Sequence, residues 1–242
     1  MSGHGDGRPM KALCVAAMFA AATPTPAAAQ VAACRLALAF AMDVSASVDE
    51  AEYRLQLDGL AAGLHDPAVR AAILGPGGDV ALSAYEWSGT HQQVMIAPWA
   101  LITTDRALDT FAAQLTAHPR SYTEFPTAIG YALGYGAVLL KDAPPCQRRV
   151  IAISGDGLSN DGFGPDAAYR AFDFDGVTVN GLVIGGEDLE LISFYQFTVA
   201  HGPGAFVEVA RDYTDYSRAM RRKLLREVAG DFMAEVRPRF PD

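Results

Sequence analysis

Leu36-Ala37-Leu38-Ala39-Phe40-Ala41-Met42 is an unbroken apolar run that stops on an aspartate, Asp43. A continuous apolar run of this length, bounded by polar residues, reads as a strand buried on both faces of a parallel sheet. Two more segments have the same character: Arg149–Ser154, followed by Gly155-Asp156-Gly157, and Val177–Ile184, followed by Gly185-Gly186. Val80–Trp87 reads as a further strand with Gln93–Ala97 as its antiparallel hairpin partner, and Ala205–Val209 as a short one. Between them lie segments with helical spacing. Asp49–Leu64 places Tyr53, Leu57, Leu60 and Leu64 on one face, and Asp105–Ala117 does so with Leu108, Phe111, Ala112 and Leu115. Pro126–Leu140 reads as a helix rich in small residues, and Asp166–Phe172, Leu189–Val199 and Tyr213–Val236 complete the series. Strands alternating with helices predict an α/β domain, with a doubly wound, mostly parallel sheet, helices on both faces and one antiparallel edge strand.

The first residues have a different composition. Met10-Lys11, the apolar run Ala12–Ala22, two prolines at Pro24 and Pro26, and Ala27-Ala28-Ala29 match the parts of a secretory signal peptide. Residues 1–29 are therefore expected to be an export signal, with Met10 a better fit to a start than Met1. Residues 30–242 are expected to form one domain. The apolar run is shorter than the ~20 residues that cross a bilayer. Val31-Ala32-Ala33-Cys34 also resembles a lipobox, but prolines separate it from the apolar run. Membrane association is expected only if Cys34 is lipidated. The expected compartment is the periplasm or the exterior of a bacterial cell. After loss of Cys14 with the signal, Cys34 and Cys146 remain, an even number suited to an oxidising compartment.

Of the 242 residues, half are hydrophobic and 19% are charged, which excludes a disordered chain. A net charge of −9 excludes a basic nucleic-acid-binding face. The five histidines, His4, His65, His91, His118 and His201, do not pair at zinc-ligand spacing. No P-loop occurs. Arg218, Arg221, Arg222, Lys223 and Arg226 make the terminal helix locally basic, which reads as a solvated face or a surface for acidic partners or membranes.

Ligands of open parallel sheets bind at the carboxyl ends of the strands. Two strands here end in acidic loops, Asp43-Val44-Ser45-Ala46-Ser47 and Gly155-Asp156-Gly157-Leu158-Ser159-Asn160-Asp161. They offer only oxygen, the donor that hard cations such as Mg²⁺ and Mn²⁺ prefer. Read alone, Ser45 or Ser47 could equally cap the helix that follows. The Asp43-Xaa-Ser45-Xaa-Ser47 pattern resembles the metal-ion-dependent adhesion site of von Willebrand factor type A (vWA) domains. Thr127, within Thr127–Leu133, resembles the threonine segment of that site, and Asp156 before Gly157 resembles its distal aspartate. The chain also resembles a family of secreted bacterial vWA-like proteins of unassigned function. The resemblance implies a Mg²⁺ or Mn²⁺ ion held by Asp43, Ser45, Ser47, Thr127 and Asp156. It also implies a protein partner whose Asp or Glu carboxylate completes the shell. Thr123, four residues before Thr127, is a second candidate for the threonine. Gly155 stands where the pattern usually has threonine, and Ala46 where it often has glycine.

Cys34 and Cys146 precede Asp43 and Asp156 by nearly equal distances in sequence. If both aspartates end adjacent parallel strands, the cysteines meet at the opposite edge, so a Cys34–Cys146 disulfide is expected. An enzyme is not expected. A metal-dependent esterase or phosphatase using Ser45, Ser47 or Ser154 is the alternative, but neither acidic loop carries a histidine base and Gly-Xaa-Ser-Xaa-Gly is absent. A vWA-shaped scaffold with an unused site is the other alternative.

Overall fold

The computed structural model describes residues 1–3 and 34–229. The chain divides into two units, Met1–Gln30 and Val31–Asp242, and every element below belongs to the second. The expected signal peptide, the lipobox residues before Cys34 and the end of the terminal helix lie outside the described residues.

Strands β1 (Cys34–Asp43), β2 (Asp79–Trp87), β3 (Gln93–Ile102), β4 (Cys146–Gly155), β5 (Val177–Ile184) and β6 (Val207–Ala210) form one sheet in the order β3-β2-β1-β4-β5-β6. All neighbours are parallel except β2 and β3, which make the antiparallel edge pair. The order reverses between β1 and β4, which is the switch point where such sheets bind ligands.

The β1 sequence alternates large and small rather than apolar and polar. Leu36, Leu38, Phe40 and Met42 enter one core, and Ala37, Ala39 and Ala41 enter the other. Helices α1 (Glu50–His65), α2 (Pro67–Leu74), α3 (Asp105–Ala117) and α7 (Tyr216–Ala229) cover the first face. Helices α4 (Ile129–Leu139), α5 (Pro165–Ala171) and α6 (Leu189–Phe194) cover the second. Small residues on β1 admit α4 closely. Gly136 of α4 faces the sheet, where an added Cβ would lie 2.6 Å from Tyr85 Oη. Not every glycine of α4 faces the sheet. One at Gly130 would stand 2.0 Å from the Phe163 carbonyl, so that glycine admits the loop after β4 instead.

Several boundaries differ from the sequence expectation. Asp49, not Ser45 or Ser47, caps α1, accepting from Glu52 N at 2.8 Å while the Glu52 carboxylate accepts from Asp49 N at 2.9 Å. A separate α2 follows, capped by Asp66 with Pro67 in its first turn. The small-residue helix starts at Ile129, three residues later than expected. The expected Leu189–Val199 helix changes to a π turn at Tyr195–Val199.

The basic residues of α7 do not form a free cationic face. Arg218 pairs with Asp215, Arg221 with Asp66 and Arg222 with Glu208. Lys223 is fully buried, 2.6 Å from Glu227. Asn180 of β5 donates to the second Glu227 oxygen at 2.8 Å, so this pair pins α7 to the sheet.

At the foot of the sheet Cys34 and Cys146 are register partners, and they form a disulfide with a Cα separation of 4.5 Å. The Cys34 sulfur is therefore engaged rather than free for acylation.

Candidate metal site at the ends of β1 and β4

Asp43 continues the Ala37-Ala39-Ala41 row of β1 and is fully buried beside its β2 register partner, Trp87. Its Oδ1 accepts from Ser45 N at 2.7 Å, which turns the chain off the strand. Gln56 of α1 donates to the Asp43 carbonyl at 2.9 Å. Because Asp49 caps α1, both serine hydroxyls are released from capping. Ser45 Oγ lies 3.2 Å from Ser47 Oγ, and Ser47 Oγ donates to Asp156 Oδ1 at 2.7 Å. Asp43, Ser45, Ser47 and Asp156 thus form one connected cluster of oxygens across the switch point.

Thr127 comes up beside Gly157, the residue after Asp156. Asn160 clamps its backbone, accepting from Thr127 N at 2.8 Å and donating from its own N to Thr127 O at 2.9 Å. Ser88 holds the next residue through Ala128 N at 2.8 Å. These bonds keep residues 127 and 128 out of the helix. Thr127 is buried, and a Cβ on Gly157 would lie 3.7 Å from its Oγ1. Its hydroxyl therefore packs against the backbone that follows Asp156. Thr123 is exposed.

Asp43 Oδ2 is buried and has no hydrogen-bond partner. Burial, and then the charge of Asp156, push the Asp43 carboxyl up to about 7, against the hydrogen bonds from Ser45 and from the Asp156 backbone that favour its charged form. Among the described residues no Lys or Arg pairs with Asp43 or Asp156. Arg120, which comes near, gives its guanidinium to the carbonyls of Val44 and Ser45 at 3.2 Å. Two carboxylates, neutral hydroxyls and one unpaired buried carboxylate oxygen are the donor chemistry of a hard divalent cation. Among the described residues no cluster of three His, Cys, Asp or Glu side chains offers a competing metal centre.

Four participants were not read from the sequence in these roles. Asn160 fixes Thr127. Glu86, fully buried, accepts from Tyr53 Oη at 2.7 Å and from Ser121 N at 3.0 Å, anchoring the segment that leads to Thr127. Trp87 is fully buried, and its Nε1 has no hydrogen-bond partner. Tyr195 shares that condition. Its hydroxyl fills the space beside Gly155, where the resemblance expects a threonine side chain. Burial and the charges of Asp43 and Asp156 hold the Tyr195 phenol well above its ordinary range. The Gly-Asp-Gly-Leu-Ser-Asn-Asp loop was a visible signal for Asn160; Tyr195 had none.

Residues 33–232 match the family described as "Protein of unknown function (DUF1194)". No curated protein matches the chain. Several solved structures share the fold. Proximal thread matrix protein 1 from the mussel byssus, with a zinc-occupied MIDAS motif, is 18% identical at a TM-score of 0.58, covering 81% of this chain and 48% of that one. A von Willebrand factor type A protein from Catenulispora acidiphila is 17% identical at 0.56, covering 81% and 43%. The PilB minor pilin of Streptococcus sanguinis is 13% identical at 0.55, covering 85% and 64%. This chain spans about half the length of the mussel protein, and at these identities the likeness is one of fold. The domain has the von Willebrand factor type A fold, and the chain belongs to the DUF1194 family.

Proposed function

We propose that the protein is an exported vWA-type binding module that holds Mg²⁺ or Mn²⁺ at Asp43, Ser45, Ser47, Thr127 and Asp156. The ion recruits an Asp or Glu carboxylate of a protein partner. The observation that carries this reading is the unpaired, buried Asp43 Oδ2 beside a second carboxylate with no basic partner. A buried charge without a counter-ion is costly, and a divalent cation supplies one. Neutral hydroxyls add donors without cancelling the ion's charge, so the ion stays attractive to a further carboxylate. The mussel protein's zinc-occupied motif supports divalent-cation binding by the same fold. Adhesins and pilins among the fold relatives support a binding role. The disulfide and the signal-like N-terminus support export.

The residues favour binding over hydrolysis. Ser154 Oγ faces the Ala41 carbonyl and Gln56 at 3.4 Å, within the core. Among the described residues no histidine is hydrogen-bonded to a serine, so no serine is paired with a base.

Calorimetric titration of Mg²⁺ and Mn²⁺ into EDTA-stripped protein tests the reading. Saturable binding that disappears in Asp43→Ala and in Asp156→Ala is expected. Absence of binding by the wild type to either ion overturns it. Esterase or phosphatase activity abolished by Ser45→Ala would favour the hydrolase instead.

A further inference from the structure

The Tyr195 side chain is fully buried, yet its hydroxyl has no hydrogen-bond partner. For filling a core, phenylalanine serves as well without stranding a polar atom. The surroundings are nevertheless shaped for this ring. A Cβ on Gly181 of β5 would lie 2.9 Å from Tyr195 Cδ1, and one on Gly155 of β4 would lie 2.5 Å from Tyr195 Oη. Glycine inside a strand weakens it and marks a close approach. The residue also opens the π turn Tyr195–Val199, an irregularity frequent at functional positions.

What Tyr195 approaches is specific. The point over Gly155 that lies 2.5 Å from Tyr195 Oη lies 2.8 Å from Asp43 Oδ2 and 3.5 Å from Trp87 Cζ2. Asp43 Oδ2 and Trp87 Nε1 are themselves buried without partners. The unsatisfied Tyr195 hydroxyl and the unsatisfied Asp43 Oδ2 therefore face a single small region, bordered by the Trp87 ring. A neutral donor stabilises a carboxylate without cancelling its charge toward a cation, which a lysine or arginine there would do.

We propose that Tyr195 is a positioning residue for divalent-cation binding: its hydroxyl, unpaired in this structure beside the equally unpaired Asp43 Oδ2, is the neutral donor that orients the Asp43 carboxylate when the ion is held. This inference rests on the cation site proposed above. It gives Gly155 a reason, since a side chain at that position would displace the hydroxyl. Tyr195 adds no ligand of its own; it acts through Asp43.

The test compares Tyr195→Phe with Tyr85→Phe. Tyr85 is also fully buried, but its hydroxyl donates to the Ala132 carbonyl at 2.9 Å, a structural bond. Each protein is melted in EDTA and titrated with Mn²⁺ by calorimetry. Tyr195→Phe is expected to melt at or above the wild-type temperature in EDTA while binding Mn²⁺ about tenfold more weakly, the loss typical of a group that orients a metal ligand. Tyr85→Phe is expected to melt lower and to keep its Mn²⁺ affinity. Wild-type affinity in Tyr195→Phe overturns the inference and leaves the cation site standing. A Tyr195→Phe protein that loses affinity only together with melting temperature, as a packing defect would, also overturns it. Failure of the wild type to bind Mn²⁺ or Mg²⁺ overturns both.

Discussion

Cys34 and Cys146 are joined at the foot of the two strands whose far ends carry Asp43 and Asp156. The bridge closes a sequence separation of 112 residues and fixes the register of β1 on β4 at the end away from the oxygen cluster. Its effect is on the unfolded chain and on strand pairing rather than on the site. Replacing both cysteines by serine is expected to lower stability by about 2–5 kcal/mol. Mn²⁺ affinity at 25 °C is expected to stay within about twofold of wild type wherever the variant remains folded, because a ten-residue strand of ~3.3 Å per residue separates the two ends. Denaturant melts and calorimetry on the same sample check both parts; a large loss of affinity in folded protein would show that the bridge tunes the site.

Buried without a counter-charge, Asp43 is costly to the fold. Its carboxylate is buried, faces Asp156 and leaves Oδ2 unpaired. Asp43→Asn keeps an oxygen for the Ser45 amide and removes the charge. In EDTA at neutral pH it is expected to raise stability by about 1–3 kcal/mol, while abolishing any cation-dependent rise in melting temperature. Functional groups held at the expense of stability behave this way. A variant less stable than wild type in EDTA would show that Asp43 is primarily structural.

Much of this arrangement was legible in the sequence, and the reasons differ by element. The β1 run and its terminal Asp43 were legible because burial on both faces forces a continuous apolar segment. The disulfide followed from the near-equal spacing of Cys34 and Cys146 to Asp43 and Asp156, given that those aspartates end adjacent parallel strands. Helix α2 is absent from the sequence reading, which ends the first helix at Leu64, although Asp66-Pro67 carries the signal: Asp66 accepts from Ala68 N at 2.9 Å, and proline fits a first helical turn. The start of α4 was placed too early, because the bonds that hold Thr127 and Ala128 out of the helix come from Asn160 and Ser88, both remote in sequence. Periodicity does not distinguish the π turn at Tyr195 from the helix it continues. Tyr195 itself was illegible, since its partners on β1, β2 and β4 meet it only in the folded sheet. The basic stretch of α7 is solvated at Arg218, Arg221 and Arg226, as read, but buries Lys223, because a run of charges does not show which carboxylate the fold brings opposite.

Asp215 provides a pH-dependent contact away from the site. It lies in the 3₁₀ turn before α7, accepts from Arg211 N at 3.1 Å, and takes two bonds from Arg218 at 2.5 and 2.6 Å. The Arg218 hydrogen bonds hold its carboxyl well below the ordinary carboxylate range. A carboxyl depressed in the folded state adds stability that is present above its unfolded pKa of about 3.9 and is lost as pH falls below it. Asp215→Asn is therefore expected to melt below wild type at pH 7, with the difference shrinking from about pH 4 downward. Arg218 is exposed, so high salt is expected to reduce the difference as well. A difference independent of pH would assign the effect to the turn geometry instead.

Thr127 and Thr123 separate cleanly by experiment, because valine preserves shape while removing only the hydroxyl. Thr127 is buried, with its backbone clamped by Asn160 and its side chain against Gly157 after Asp156. Thr123 is exposed on the approach to that segment. Since Asn160 bonds the backbone of Thr127, the clamp survives Thr127→Val, and the fold is expected to survive with it. If Thr127 supplies a hydroxyl to the ion, Thr127→Val lowers Mn²⁺ affinity about tenfold or more, with little change of melting temperature in EDTA. Thr123→Val is expected to match wild type in both measurements. The reverse pattern would move the third arm of the site to the exposed loop. It would require residues 121–126 to fold inward on binding, against the bonds that Glu86 and Ser88 make to that loop at Ser121 N, Phe125 O and Pro126 O.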